Sequence, residues 1–253
     1  MSDIQLMLDW TSINFESTYG PWIKTSKADQ SCRKLADVHY SRITVGAKQF
    51  TRPGENLVFR TADGSAFWVT WRSKYKRKDS YGYAIECTHF HRTAACEHLS
   101  SDLIKWALYG TIQEWGELPT DGMITYVDSS KVQSKNAGYC FERAGFKRLK
   151  KRSSKGLLCY KIDQSTLELV LEEMKLIKAW EEHYLYLLNL TLNSGEFMES
   201  EIIVEEAQQD LLKLKIEYRE KMKQIGINAW SEVEEPITLE ELHLPLQTHT
   251  KIG

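Results

Sequence analysis

The chain has 253 residues, 42% hydrophobic and 27% charged. That composition suits one large domain or two modest ones with a real core, and it excludes a disordered polyelectrolyte. The net charge of −2 conceals a split: residues 1–162 carry 25 Lys and Arg against 16 Asp and Glu, whereas residues 163–253 carry 8 against 19. A basic body joined to an acidic segment implies that the body meets an anion: nucleic acid, a phosphorylated cofactor or the acidic segment itself.

No apolar run reaches the roughly 18 residues expected of a membrane-crossing helix, and no membrane partner is expected. Met1–Phe15 lacks the basic-then-apolar order of a secretory signal. The five cysteines, Cys32, Cys87, Cys96, Cys140 and Cys159, are odd in number and form no C-x-x-C pair. These features fit a reduced, cytoplasmic chain.

Residues 1–28 show little periodicity and read as a loose lead-in. Asp29 is an N-cap candidate for a short helix ending near Val38, and His39-Tyr40-Ser41-Arg42 follows at a helix-to-loop junction. Residues 56–61 and 66–72 read as strands joined by the hairpin turn Ala62-Asp63-Gly64-Ser65, since Asp-Gly accepts the positive φ of such turns. The basic loop 74–78 leads to a third strand over 83–90. Leu99-Ser100-Ser101-Asp102 opens a helix that ends near Gly116, with the serines and the aspartate as capping chemistry.

Residues 123–127 form a buried-type strand ending at Asp128. A short helix over 139–144 stops at Gly145, and a last strand over 157–162 follows the basic loop 147–155. The order is an α/β pattern with a mixed sheet flanked by helices. From Leu167 the period is helical. Residues 167–192 and 199–225 fit a C-terminal helical hairpin around Asn193-Ser194-Gly195, a surface for an oligomer or a protein partner, and 226–253 fit a weakly ordered tail. The expected domains are 1–162, 163–225 and 226–253.

Asn136-Ala137-Gly138-Tyr139-Cys140-Phe141-Glu142-Arg143-Ala144-Gly145-Phe146, placed after a strand that ends in Asp128, resembles the last block of GNAT acyltransferases. There an Asn precedes a short helix closed by an aromatic and Gly-Phe. The resemblance implies a GNAT-like fold over 1–162 and an acetyl-CoA or related acyl donor. It makes Asn136 a support for the donor's pantetheine arm and Tyr139 a proton donor to the leaving thiolate. One departure is visible: the family's Gly-rich loop before the central helix is matched by Arg92-Thr93-Ala94-Ala95-Cys96-Glu97-His98-Leu99-Ser100-Ser101, which has no glycine. Ser100 and Ser101 at the helix start could still hold the donor's phosphates.

The set His39-Tyr40-Ser41, Arg92, Asp128 and Tyr139 resembles phage Mom-type proteins, GNAT-related enzymes that modify adenine in phage DNA, and also acetyltransferase-like phage proteins. The resemblance spans about residues 35–162. It implies a catalytic set of His39, Tyr40, Arg92, Asp128 and Tyr139, DNA or a nucleotide as partner, and the bacterial host cytoplasm as location. On their own chemistry, His39 suits proton transfer near neutral pH, Tyr40 and Tyr139 suit proton donation or base stacking, Arg92 suits a phosphate, and Asp128 suits an exocyclic amine.

Lys76, Arg77 and Lys78 in one basic loop, and Lys150, Lys151 and Arg152 in the other, could follow a phosphate backbone, with Tyr75 and Tyr81 as stacking residues. Cys87, His89 and His91 alternate along one strand and would share a face, with Cys96 and His98 close behind. Their spacing matches no standard Cys/His site, so no metal is assigned. Two further readings stand beside the DNA-directed transferase: an inactive GNAT-like module that binds DNA or a host protein, and an ordinary acetyl-CoA-dependent N-acetyltransferase.

Overall fold

The computed structural model describes residues 18–132, 134–193 and 209. The chain divides into two compact units, 1–188 and 189–253, and the fold described here is that of the first. The expected second hairpin helix and the tail lie outside the described residues.

Among the described residues eight strands form one sheet in the order β1-β2-β3-β4-β5-β6-β8-β7. They are β1 (Thr18–Tyr19), β2 (Trp22–Thr25), β3 (Glu55–Thr61), β4 (Ala66–Arg72), β5 (Ile85–Arg92), β6 (Met123–Val127), β7 (Lys147–Arg148) and β8 (Leu158–Ile162). The helices are α1 (Gln30–Val38), α2 (Ser100–Trp115), α3 (Tyr139–Arg143) and α4 (Gln164–Asn193). Neighbours pair antiparallel except β5 with β6, which run parallel. The chain is therefore mixed α/β, and no helix among the described residues is long and apolar enough to cross a membrane.

Alternation along the strands sorts the core onto two faces. Leu57, Phe59, Ala66, Trp68, Ile85 and Met123 point to the face covered by α2, α3 and the start of α4. Val58, Phe67 and Val69 point the other way, where Cys32 and Ala36 of α1 and Phe50 cover them. α2 is fixed by polar contacts as well as by packing. The Trp22 indole N–H donates to the Leu103 carbonyl at 2.7 Å, and the Trp68 indole N–H donates to the Thr70 hydroxyl, which meets Thr111 at 3.0 Å.

The lead-in is not wholly loose: Trp22–Thr25 pairs with Val58–Thr61, and Thr18–Tyr19 folds back on it. Four residues are too few for a period to show, and it is the buried Trp22 that holds them. Likewise Lys147–Arg148, read as loop, pairs with Tyr160–Lys161 at the other edge. The acidic region also begins inside the core. Leu167, Val170, Leu171 and Met174 are buried with the sheet residues, and Glu173 pairs with Lys105 of α2 in the interior.

The sequence Asn136-Ala137-Gly138 is set by a close approach. Gly138 has φ +83°, and a Cβ there would lie 2.4–2.6 Å from the Tyr160 ring. The Tyr160 hydroxyl donates to the Ala137 carbonyl just before it. Gly116, with φ +70°, ends α2 in open space. Gly138→Ala should therefore destabilise by about 2–3 kcal/mol, and Gly116→Ala by about 1 kcal/mol. Urea unfolding of the two variants checks the order, and equal costs would show that Tyr160 yields.

Candidate functional site

β5 makes the site. Opposite Val69 and Thr70 of β4 stand His89 and Cys87, so Thr88 is an extra residue, a β-bulge. Before it, Ile85 and Cys87 face α2, and Glu86 points to the opposite face, toward Arg52 and Arg77. After it the order is reversed: Phe90 contacts Trp68 and Phe141 on the α2 face, while His89 and His91 lie against Phe67 on the α1 face. Cys87, His89 and His91 thus do not share a face, because the bulge breaks the alternation. Among the described residues no group of three or more His, Cys, Asp and Glu stands in a metal-holding arrangement.

The bulge coincides with the end of pairing to β6. Only Ile85, Glu86 and Cys87 pair with Met123, Ile124 and Thr125. The Thr125 hydroxyl closes this stretch by donating to the Cys87 carbonyl at 3.1 Å. Beyond it the two parallel strands part and leave a cleft of about 730 Å³. His39, Tyr40, His89, Phe90, Tyr126 and Phe141 are among its walls, and Lys78, Lys151, Arg152 and Lys155 reach it from the two basic loops.

Its floor is charged. The Glu86 side chain is 2% exposed and binds Arg77 and Arg52, each at 2.7 Å. Arg77 also holds Asp79, which accepts the Tyr126 hydroxyl at 2.9 Å. Burial alone would raise the Asp79 pKa, but hydrogen bonds from Arg77 and Tyr126 outweigh it and leave the carboxyl below its usual range. Both guanidinium groups lie over the Trp71 ring, at 5.6 and 5.7 Å from its centre.

His39 and His89 line one side, and His91 stands beside His39. The His39 ring stands 4.3 Å from Tyr40, 5.7 Å from His89 and 5.8 Å from His91, centre to centre. Burial, then the neighbouring His89 and His91, lower the His39 pKa to about 4. Burial, then Arg52 and Arg42, bring His89 to about 4, and burial lowers His91. His39 Nδ1 accepts the Ser41 backbone N–H at 3.3 Å and meets the Ser41 hydroxyl at 2.8 Å. That fixes the Nε2–H tautomer, so neutral His39 presents a donor at Nε2.

The residues expected to form one catalytic set separate into groups. His39 and Tyr40 line the cleft, and the Tyr40 hydroxyl accepts the Asp128 backbone N–H at 3.4 Å. The Asp128 carboxylate accepts from Ser130, which with the Ser130 backbone N–H holds it below its usual pKa range. Arg92 is elsewhere. It stays paired with Ala66 of β4, and its guanidinium donates to the Cys96 and His98 carbonyls at 2.6 and 2.7 Å. Adjacent strands would have brought Arg92 near Asp128, but β5 leaves β6 after Cys87, five residues earlier. Tyr139 is exposed at the start of α3 and is not a wall of the cleft, whereas Phe141 of the same helix is.

At the start of α2 the cap is Leu99, with no side-chain cap bond, so Ser100, Ser101 and Asp102 lie inside the first turn rather than capping it. The Ser101 hydroxyl donates to Asp102 at 3.3 Å. Asn136 is exposed in the loop before α3.

Of the basic residues, Arg77 is a floor residue with a 7% exposed side chain, not a member of a solvated loop. Lys78, Lys151 and Arg152 reach the cleft, while Lys76 and Lys150 are exposed outside it. Tyr81 lines the cleft, and Tyr75 is exposed away from it. Sequence reasoning does not single out Glu86, Asp79, Tyr126 or Arg52. A lone Glu within the apolar-to-histidine run of β5 is the available signal.

No family model, curated protein or solved structure matches the chain.

The histidines should couple stability to pH. Between about 4 and 6.5 an unfolded histidine binds a proton that folded His39 and His89 do not. The unfolded state then holds more protons, so stability rises with pH through this window and levels off above it. Urea midpoints measured across it should climb, and the climb should flatten in His39→Gln/His89→Gln. An unchanged slope in that variant would place the dependence on other groups.

Proposed function

We propose that the chain is a GNAT-like transferase that moves an acyl or related group to an amine on a DNA base, with the β5–β6 cleft as the acceptor site. The observation that carries this reading is the cleft between two parallel strands that part after three residue pairs, with aromatic and hydrogen-bonding walls and a cationic rim. Ligands of α/β sheets sit beyond the carboxyl ends of parallel strands, and α2 begins at that same end of β5. Among the described residues Lys78, Lys151 and Lys155 have no acidic partner, which leaves their charge free for phosphates.

The donor, when bound, supplies an activated thioester carbonyl. The first turn of α2 suits its phosphates, because the cap Leu99 provides no side-chain acceptor for the leading N–H groups. Ser100 and Ser101 would hold the phosphates there, against the unfavourable charge of Asp102, and Asn136 would meet the donor's arm. His39 would orient the acceptor through Nε2–H, and Tyr40 would stack on it or donate to it, its pKa raised by burial. Asp128, ionised and beside Tyr40, takes the proton that the acceptor nitrogen releases, and Tyr139 returns one to the leaving sulfur. In this reading Arg92 shapes the loop before α2 by binding its carbonyls. With a pKa of about 4 and Nδ1 engaged, His39 serves as a donor better than as a base.

A module that binds DNA or a host protein without catalysis is the second reading, favoured by the absence of Arg92, Asp128 and Tyr139 from the cleft walls. Mass spectrometry of nucleosides from DNA co-expressed with the chain separates the two. A new modified nucleoside, lost in Asp128→Asn while circular dichroism is unchanged, is the expected result. Unmodified DNA together with no heat of acetyl-CoA binding would leave only the second reading.

The rim makes a separate prediction. Reversing Lys150, Lys151 and Arg152 to Glu should weaken DNA binding alike for all sequences. Each phosphate that is no longer neutralised should make the fall of log affinity with log salt shallower by about 1. Wild-type binding unchanged between low and physiological salt would remove the phosphates from the account.

A further inference from the structure

Loop 39–49 carries an arrangement that neither the cleft chemistry nor the core explains. Ile43 is 97% exposed and Val45 is 70% exposed, as is Val38 just before the loop at 73%. Exposed apolar side chains at a loop tip are common when the loop is slack. This loop is braced from within. The Arg42 side chain, 7% exposed, donates to the Asp37 carboxylate at 2.7 Å, to the Ala47 carbonyl at 2.9 Å and to the Gln49 carbonyl at 3.1 Å. The other Asp37 oxygen accepts the Gly46 N–H at 3.1 Å, and the Arg42 N–H donates to the His39 carbonyl at 3.0 Å. Phe50, buried against Phe67, anchors the exit. Asp37 and Arg42 together hold the turn so that Ile43 and Val45 project from it.

The position is specific too. His39, Tyr40 and Ser41 of this loop are walls of the cleft, and the basic loops bearing Lys78, Lys151, Arg152 and Lys155 supply others. Ile43 is three residues beyond Tyr40, so its backbone lies at most about 11 Å along the chain from a cleft wall. A rigid apolar tip next to a cleft with aromatic and hydrogen-bonding walls and a cationic rim matches what a duplex requires of a protein that works on a base. The base must leave the stack to enter the cleft, which costs unstacking energy, and an apolar side chain placed in the opened step offsets that cost.

We infer that Ile43, supported by Val45, is a wedge that enters the base stack of duplex DNA when the target base turns into the β5–β6 cleft. This rests on the proposed DNA-directed function and adds to it: the substrate is a base in a duplex, and the Asp37–Arg42 brace is a positioning device. Single-stranded DNA has no stack to hold open, so the wedge matters there little.

The test uses the full chain and a duplex carrying 2-aminopurine at the target position, beside the single strand of the same sequence. Wild type should bind both and raise the 2-aminopurine fluorescence of the duplex. Ile43→Ala/Val45→Ala should keep its affinity for the single strand, which also shows that it is folded. It should lose duplex affinity by about tenfold or more, together with the fluorescence rise. Ile43→Phe, which restores an apolar wedge, should retain both. A double variant equal to wild type on the duplex, or one that loses both forms alike, overturns the wedge while leaving DNA binding in place. A wild type that binds neither form overturns the wedge and the DNA-directed function together.

Discussion

Everything at the site follows from one surplus residue in β5. Thr88 has no register partner on β4, so the strand bends and its side-chain alternation is reversed. Without the bulge, His89 and His91 would point into the apolar core under α2, and Phe90 would face α1. With it, the aromatic ring joins Trp68 and Phe141, and the imidazoles reach the polar side. The bulge also ends the register with β6, which is why the strands part after Thr125 and leave a cleft rather than a closed sheet. A continuous parallel pair would fill this space with backbone hydrogen bonds.

Glu86 sits immediately before that break, and its burial sets the next constraint. A carboxylate 2% exposed is costly unless its charge is matched, and two arginines match it. One of them, Arg77, comes from a loop that composition alone marks as solvated. It also donates to Asp79, which in turn accepts the Tyr126 hydroxyl. The network therefore draws loop 74–82 inward and ties it to β6, giving the cleft a fixed wall where a free basic loop would have none. Such buried ionic groups add less to stability than an apolar replacement would. What they do is hold one arrangement, since any other leaves a charge unpaired. The interior pair Lys105–Glu173 does the same between α2 and α4.

The sheet is legible where periods are long enough to read. Strands β3 to β6, the hairpin turn at Asp63-Gly64 and helix α2 fall within a few residues of their expected places, because alternation and helical spacing report burial directly. β1, β2 and β7 are not, since two to four residues carry no period and their pairing depends on distant partners such as Leu103. The site is less legible for the same reason. His39 and Tyr40 stand out as chemistry at a helix end, but a bulge leaves no mark in a run such as Ile-Glu-Cys-Thr-His-Phe-His-Arg. Regular alternation there would put Cys87 on the face of the histidines, which the bulge prevents, and continued pairing with β6 would carry Arg92 toward Asp128, but that pairing ends at Cys87. Gly138 shows the opposite limit: a motif read as cofactor chemistry is also required by the Tyr160 ring beside it.

The electrostatics of the cleft follow from how its charges are paired. Glu86 and Asp79 are neutralised locally by Arg77 and Arg52, so the floor contributes little net field. Burial keeps the histidines neutral near pH 7, so they contribute hydrogen-bonding groups rather than charge. What remains is the rim, where Lys78, Lys151 and Lys155 are unpaired among the described residues. Field lines from such a rim are focused by the low-dielectric walls of the cleft, and they favour an anion at the mouth and a neutral group within. A nucleotide has this polarity: a charged phosphate outside and an uncharged base inside.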